Sequence, residues 1–264
     1  MSEPISVVDL FAGPGGLAEG FSSVPGMSGP AFRVALSVEK EATAFRTLRL
    51  RSFYRQFGVH VPPAYYDYIA GGITIEQLAV AHSSEWAEAC RETFQLELGR
   101  PETNKVLDPL LDDIARREAG LSVLVGGPPC QAYSLVGRAR NKGTAGYVAS
   151  EDHRHFLYRE YIRILQRLRP AVFVMENVKG ILSSTVDGDP IFGRVLSDLR
   201  SAEQGAGSNL QGALARARHW ALQRLEPDPA ARKLARAASG HPQRDHGSTD
   251  LLFHLQLARS GLAA

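Results

Sequence analysis

The chain has 264 residues, of which 44% are hydrophobic, with a formal net charge of +2 and two cysteines. That is length enough for one large domain or two small ones with a proper core, and the near-neutral balance permits a polyanionic partner without requiring one. No apolar run approaches the ~18 residues of a membrane span, Met1-Ser2-Glu3-Pro4 lacks the regions of a signal peptide, and Cys90 and Cys130 make no disulfide framework, so a cytoplasmic protein of a reducing compartment is expected, away from membranes.

Residues Ile5 to Phe11 are β-branched and apolar. Ala12-Gly13-Pro14-Gly15-Gly16 ends the run, and Leu17, Gly20 and Phe21 suggest a short helix. Such a glycine turn either lets backbone approach a ligand beside the unpaired N–H groups of a helix start, or is a plain tight turn. Gly-Pro-Gly-Gly departs from the Gly-x-Gly-x-x-Gly dinucleotide pattern, which disfavours a nicotinamide cofactor. A second strand, Arg33 to Val38, ends at Glu39, 23 residues beyond Gly16. In doubly wound folds an acidic side chain ~20 residues past the turn accepts from ribose hydroxyls; a solvated carboxylate is the plainer alternative.

From Glu41 to about Lys105 the compact alternation of strand and helix breaks down, and the stretch reads as an insertion between the second and third strands. Glu41 to Phe57 is expected to be a basic helix carrying Arg46, Arg49, Arg51 and Arg55. Phosphate contact is open to these arginines, although a solvated face is the commoner use. Tyr65, Tyr66 and Tyr68 read as packing rather than a stacking platform, and a further helix is expected around Trp86 to Leu98.

Leu121 to Val125 is a buried strand, and Gly126-Gly127-Pro128-Pro129 then stiffens the chain just before Cys130. A free thiol has a pKa of ~8.5, so a nucleophilic Cys130 needs a positive or hydrogen-bonding environment; a lone cysteine is more often buried and inert. Gly137 to Ala149 is polar and glycine-containing, as expected of a loop that closes over substrate. Leu157, Tyr161, Ile164, Leu165 and Leu168 recur at helical spacing until Arg169-Pro170, and a strand from Ala171 to Met175 delivers Glu176-Asn177-Val178-Lys179-Gly180.

Gly-Gly-Pro-Pro-Cys-Gln at 126–131, with Ser134 and Gly137 following, closely resembles the catalytic motif of DNA cytosine-5 methyltransferases. Asp9 to Gly16 is similar to that family's S-adenosylmethionine motif, and Glu176-Asn177-Val178 to its Glu-Asn-Val motif. The resemblance implies a doubly wound, mostly parallel α/β sheet of the Rossmann-like S-adenosylmethionine-dependent type, with S-adenosylmethionine as cofactor and DNA as partner, in restriction–modification chemistry. It further implies that Phe11, Gly13, Gly15, Gly16, Glu39, Asp113, Ile114, Pro128 and Leu157 form the cofactor pocket. Asp113 is chosen over the adjacent Asp112 as the acid that, with Ile114, meets the adenine ring.

By the same resemblance Cys130 is the nucleophile that adds to carbon 6 of cytosine, so that carbon 5 attacks the methyl sulfonium. Glu176, kept protonated by partial burial, stabilises the charge at ring nitrogen 3, and Asn177 orients the glutamate or the cysteine loop. Gln131, Ser134 and Arg138 are candidates for substrate contacts, made to a base swung out of the duplex. In a parallel sheet the carboxyl ends of the strands open on one side, so Gly13, Glu39, Cys130 and Glu176 are expected to face one crevice.

The resemblance runs from about Ile5 to Leu182, and residues 1–200 are expected to form the catalytic domain. Residues 201–264 are an Ala- and Arg-rich tail with eight basic and five acidic side chains. Leu214 to Leu225 and Ala230 to Ala238 have helical character, no target-recognition domain is recognisable, and Arg244 is only a faint echo of the family's arginine motif. The expectation is a truncated enzyme or one half of a split one, with a second polypeptide supplying DNA recognition. The rivals are an inactive remnant or regulatory binding protein, and a cytosine methyltransferase acting on RNA.

Overall fold

In a computed structural model of the chain, the structure describes residues 4–26, 29–128 and 157–176, with short pieces at 185–186, 189–190, 193–195 and 197–199. The first strand, β1 (Ile5–Leu10), is buried at every position, Ser6 and Asp9 included, because helices cover both faces of the sheet. The glycine turn leads into α1 (Gly16–Ser22), and a small antiparallel hairpin, β2 (Pro25–Gly26) and β3 (Gly29–Pro30), returns the chain to β4 (Phe32–Glu39). Four helices follow: α2 (Ala42–Arg55), α3 (Pro63–Ile69), α4 (Ile75–Ala81) and α5 (Ser83–Glu92). Thereafter come β5 (Thr93–Gln95), α6 (Pro101–Glu118), β6 (Ser122–Gly126), α7 (Leu157–Leu168) and β7 (Val172–Met175), with a two-residue pair β8 (Thr185–Val186) and β9 (Asp189–Pro190) beyond.

The main sheet has the order β5-β4-β1-β6-β7, and every pairing in it is parallel. The chain builds outward from β1 to β5, then crosses back to β6 on the other side of β1. That reversal lies between β1 and β6, where a doubly wound sheet opens a crevice at the carboxyl ends of its strands. The expected fold class is thus the one observed.

Two apolar layers sandwich the sheet. On one face Val8, Leu10, Leu36 and Leu124 pack against Leu107, Leu111 and Ile114 of α6 and Tyr161, Ile164 and Leu168 of α7; on the other Ile5, Val7, Val123, Val125 and Val174 meet Leu17 and Phe21 of α1. Tyr161 is fully buried and its hydroxyl reaches the carbonyls of Leu124 at 3.1 Å and Val174 at 3.0 Å. It therefore ties together β6 and β7, the strands expected to deliver the cysteine loop and Glu176.

The helix expected around Trp86 to Leu98 is instead α5 followed by a strand, since Thr93, Phe94 and Gln95 pair with Ser37, Val38 and Glu39. Within the stretch read as an insertion, α3 and α4 join α2 and α5 in a separate small cluster, in which Phe53, Leu78 and Ala89 pack with Tyr65, Tyr68 and Trp86. Tyr65 meets Tyr54 in a tilted contact and Tyr66 edge-to-face, at ring-centroid separations of 5.1 and 5.4 Å, the packing role expected of these tyrosines.

Candidate active site

The glycine turn follows β1 at the switch point. Gly15 has φ 90°, a left-handed conformation, and a Cβ there would lie 2.9 Å from Leu48 Cδ1 of α2, so the position admits glycine alone without rearrangement. A Cβ at Gly13 or Gly16 would meet nothing within 4 Å. The turn thus has protein packed behind it and open space in front.

Glu39, at the end of the neighbouring strand, faces that space. Its Oε2 accepts from the Gly13 N–H at 2.8 Å and its Oε1 from the Glu41 N–H at 2.6 Å. A carboxylate offers about four acceptor directions, so two backbone bonds orient Glu39 and leave capacity for ligand hydroxyls. Open space over the turn, exposed backbone and an oriented carboxylate fit the adenosyl part of S-adenosylmethionine. Phe11, at φ 55°, turns the chain out of β1 into this rim.

Across the switch point, β6 and β7 end level with each other, and the Glu176 N–H donates to the Gly126 carbonyl at 2.9 Å. A Cβ at Gly127 would lie 2.5 Å from Glu176 Oε2. The missing side chain at Gly127 therefore lets the Glu176 carboxylate lie over the backbone that leads through buried Pro128 towards Cys130. Glu176 itself is exposed rather than partly buried. Cys130, Gln131, Ser134, Arg138 and Asn177 lie outside the described residues.

The structure does not bring Asp113 to this rim. α6 starts at the carboxyl edge after β5 and runs back towards the start of β6, so the 12 residues from Pro101 carry Asp113 about 18 Å down the helix. There it pairs with Arg116 at 2.5 Å and Arg117 at 3.0 Å, while Ile114 is buried in the core against the sheet. Leu157, by contrast, opens α7 beside Gly99, whose Cβ would lie 3.6 Å from Leu157 Cδ2, and Gly99 follows the carboxyl end of β5.

Sequence reasoning passed over Glu97. This acid stands two residues beyond β5, forms a 2.7 Å ion pair with Lys40, and lies next to Glu39 along the carboxyl edge. Lys40, and then Arg100, hold its carboxyl below the ordinary range. Thr103 donates to the Glu97 carbonyl at 2.7 Å and so fixes the backbone. The available signal was Gly99-Arg100-Pro101, a turn followed by a helix start, which places a strand end just before it.

Beneath the turn lies a buried acid. Asp9 is wholly buried and neither carboxylate oxygen completes a hydrogen bond, although the Ala18 amide is directed at it. Burial pushes its pKa up to about 7, against the partial opposition of that amide and of Arg55. Burial likewise raises Glu92 of α5.

Of the α2 arginines, Arg46 lies on the solvated face expected of it, whereas Arg49, Arg51 and Arg55 make contacts within the protein. Arg49 donates to the Thr93 carbonyl and to Cys90 Sγ, each at 2.8 Å; Arg51 donates to the Pro14 carbonyl at 3.0 Å; and Arg55 pairs with both Glu19 and Glu92. Cys90 is a free thiol. Among the described residues no cluster of His, Cys, Asp or Glu could hold a metal ion, and no helix is long and apolar enough to cross a membrane.

A parallel sheet wound from a central strand, with a glycine turn and an oriented carboxylate on one side of its switch point and a glutamate over a glycine-proline turn on the other, defines a Rossmann-like protein of the methyltransferase type. The profile of the C-5 cytosine-specific DNA methylase family matches residues 64–203, just over half of the chain, and the chain belongs to that family. It is similar to the type II methyltransferase M.Bpa9945I of Bacillus paralicheniformis, with 35% identity over 195 residues, 67% of this chain and 41% of that protein. The type II methyltransferase M.AquIA of Picosynechococcus is 28% identical over 177 residues, covering 67% of this chain and 50% of that one. The solved Entamoeba histolytica methyltransferase EhMeth aligns over 76% of this chain and 44% of its own, at 14% identity and a TM-score of 0.38. This chain therefore spans half or less of the length of these relatives.

Proposed function

We propose that the chain forms the catalytic part of a DNA methyltransferase that modifies carbon 5 of cytosine and uses S-adenosylmethionine. The observation that carries this reading is the Glu176 carboxylate lying over Gly127, three residues before Cys130, across the switch point from the glycine turn. S-adenosylmethionine supplies an electrophilic methyl group when bound. Gly13 and Gly16 leave room for it, Gly15 lets the turn lie against Leu48, Glu39 accepts from its ribose hydroxyls, and Phe11, Pro128 and Leu157 line the pocket. Glu97, rather than Asp113, is the acid we assign to the adenine side, on the strength of its place beside Lys40 and Glu39.

Cytosine carbon 5 is a weak nucleophile, and Cys130 overcomes this by adding its thiolate to carbon 6. Glu176, protonated, hydrogen-bonds ring nitrogen 3 and stabilises the charge that the addition places on the ring. Because the Glu176 carboxyl is exposed, the incoming base itself must bury it. Electron density moves to carbon 5, which would take the methyl group with S-adenosylhomocysteine as the leaving group; release of the carbon 5 proton to a water-derived base and expulsion of the Cys130 thiolate would then restore the ring, leaving Glu176 protonated as before. Asn177 orients the glutamate or the cysteine loop, and Gln131, Ser134 and Arg138 contact the base or its backbone. The base leaves the duplex to reach Cys130, at a cost of about a few kcal/mol.

We further infer, from the Ala- and Arg-rich character of residues 201–264, that the DNA-reading part is supplied by a second polypeptide. The test is transfer of labelled methyl from S-adenosylmethionine to mixed-sequence DNA, with and without the neighbouring gene product and beside Cys130→Ser. Transfer that requires the neighbour and vanishes in the serine variant is the expected result. Transfer by the chain alone would remove the second polypeptide from the scheme, and silence in every condition would favour an inactive remnant.

A further inference from the structure

The helix α2 lies behind the glycine turn, and three of its side chains at helical spacing reach that turn or the helix that continues it. Leu48 Cδ1 sits where a Cβ of Gly15 would collide, and Arg51 donates to the Pro14 carbonyl at 3.0 Å. Arg55, one turn further on, is 13% exposed and bridges two acids through separate nitrogens, Glu19 of α1 with Nη1 and Glu92 of α5 with Nη2. Glu92 is 10% exposed at its side chain, whereas Glu19 is 37% exposed. One buried guanidinium therefore links the cofactor turn's own helix to the helical layer behind it. The α1 helix has seven residues and its Gly15 N-cap makes no side-chain cap bond, so little within α1 fixes its start.

We propose that Arg55 is a positioning residue for the cofactor: by tying α1 to α5 it sets where the glycine turn stands relative to Glu39, so that affinity for S-adenosylmethionine depends on a side chain that never touches it. This rests on the reading of the glycine turn as the S-adenosylmethionine site. The planar fork of arginine suits the role because it meets two carboxylates at once, which a lysine ammonium does with less geometric control. Glu92 makes the bridge directional: its buried carboxylate anchors the guanidinium, and the other nitrogen is left to hold α1.

The test is calorimetric titration of the full chain with S-adenosylhomocysteine, which needs no DNA and no turnover, with urea unfolding of each variant alongside. Arg55→Met alone strands the Glu92 carboxylate in the interior and is expected to unfold early. The informative variants are therefore Glu19→Ala, which removes the acceptor and so breaks only the α1 arm at a half-exposed acid, and Arg55→Met with Glu92→Met, which removes both members of the buried pair. Both are expected to keep an unfolding midpoint close to the parent chain while binding about tenfold more weakly, and Arg55→Lys is expected to fall between them and the parent. Parent-like affinity in Glu19→Ala, or in a folded double variant, would overturn the positioning role while leaving the cofactor reading standing. Failure of the parent chain itself to bind S-adenosylhomocysteine would overturn both together.

Discussion

Replacing Asp9 by asparagine should change how the stability of this protein depends on pH. The carboxyl is buried without a completed hydrogen bond, and its pKa rises from the ordinary 3.8 to about 7. The native state therefore holds a proton on Asp9 that the unfolded chain has already released, and stability falls as pH rises between about 4 and 7. At ~1.4 kcal/mol per pH unit over that interval, this one group withdraws on the order of 4 kcal/mol by pH 8, a large share of the 5–15 kcal/mol typical of a folded domain. Asp9→Asn removes the titration, so its urea midpoint, followed by tryptophan fluorescence from pH 5 to pH 8, should decline far less than that of the parent chain. Glu92, also raised by burial, leaves a residual slope of the same sign. Acids held low by exposed partners, such as Glu88 beside Arg91 and Glu97 beside Lys40, lose their contribution only below about pH 4.5 and so fall outside the window. Parallel pH profiles for the two proteins would refute the assignment of a protonated Asp9.

Tyr161→Phe removes the hydroxyl that reaches β6 and β7, leaves the ring in place, and should lower stability by about 1 kcal/mol; an unchanged urea midpoint would show that the two carbonyls do not depend on it. Gly127→Ala puts a methyl group where Glu176 Oε2 now lies, and because a side-chain end can swing away cheaply, stability should hold while methyl transfer falls about tenfold or more at unchanged S-adenosylhomocysteine affinity. Equal transfer rates would detach Glu176 from the chemistry.

Much of this architecture was legible because its signals are local. β1, β6 and β7 announce themselves as short apolar runs that end in glycine or at Glu176, and α7 by an apolar stripe from Leu157 to Leu168. What the sequence concealed depends on pairing across the chain. Thr93-Phe94-Gln95 is too short for a periodic signal and becomes a strand only because β4 offers Ser37, Val38 and Glu39 as partners. The arginines of α2 gave the pattern of a solvated basic helix, yet Arg49 and Arg55 turn inward because Thr93, Glu92 and Glu19, 36 to 44 residues away, wait there.

The place of Asp113 on α6 follows from the same cause. Asp112-Asp113-Ile114 matches a short acidic-apolar pattern, but Thr103, Leu107, Leu111 and Ile114 are the buried side of one helix, and that spacing fixes Asp113 on its outer face. The two assignments predict opposite results. Asp113→Ala removes exposed pairs with Arg116 and Arg117, each worth about 0.3–0.5 kcal/mol, and should leave S-adenosylhomocysteine affinity as it was. Glu97→Ala removes an oriented carboxylate from the carboxyl edge and should weaken binding severalfold, about 1 kcal/mol or more, even though its ion pair with Lys40 is itself partly exposed. Should Asp113→Ala weaken binding while Glu97→Ala does not, the cofactor would have to reach past the start of α6, and the crevice at the switch point would not be its site.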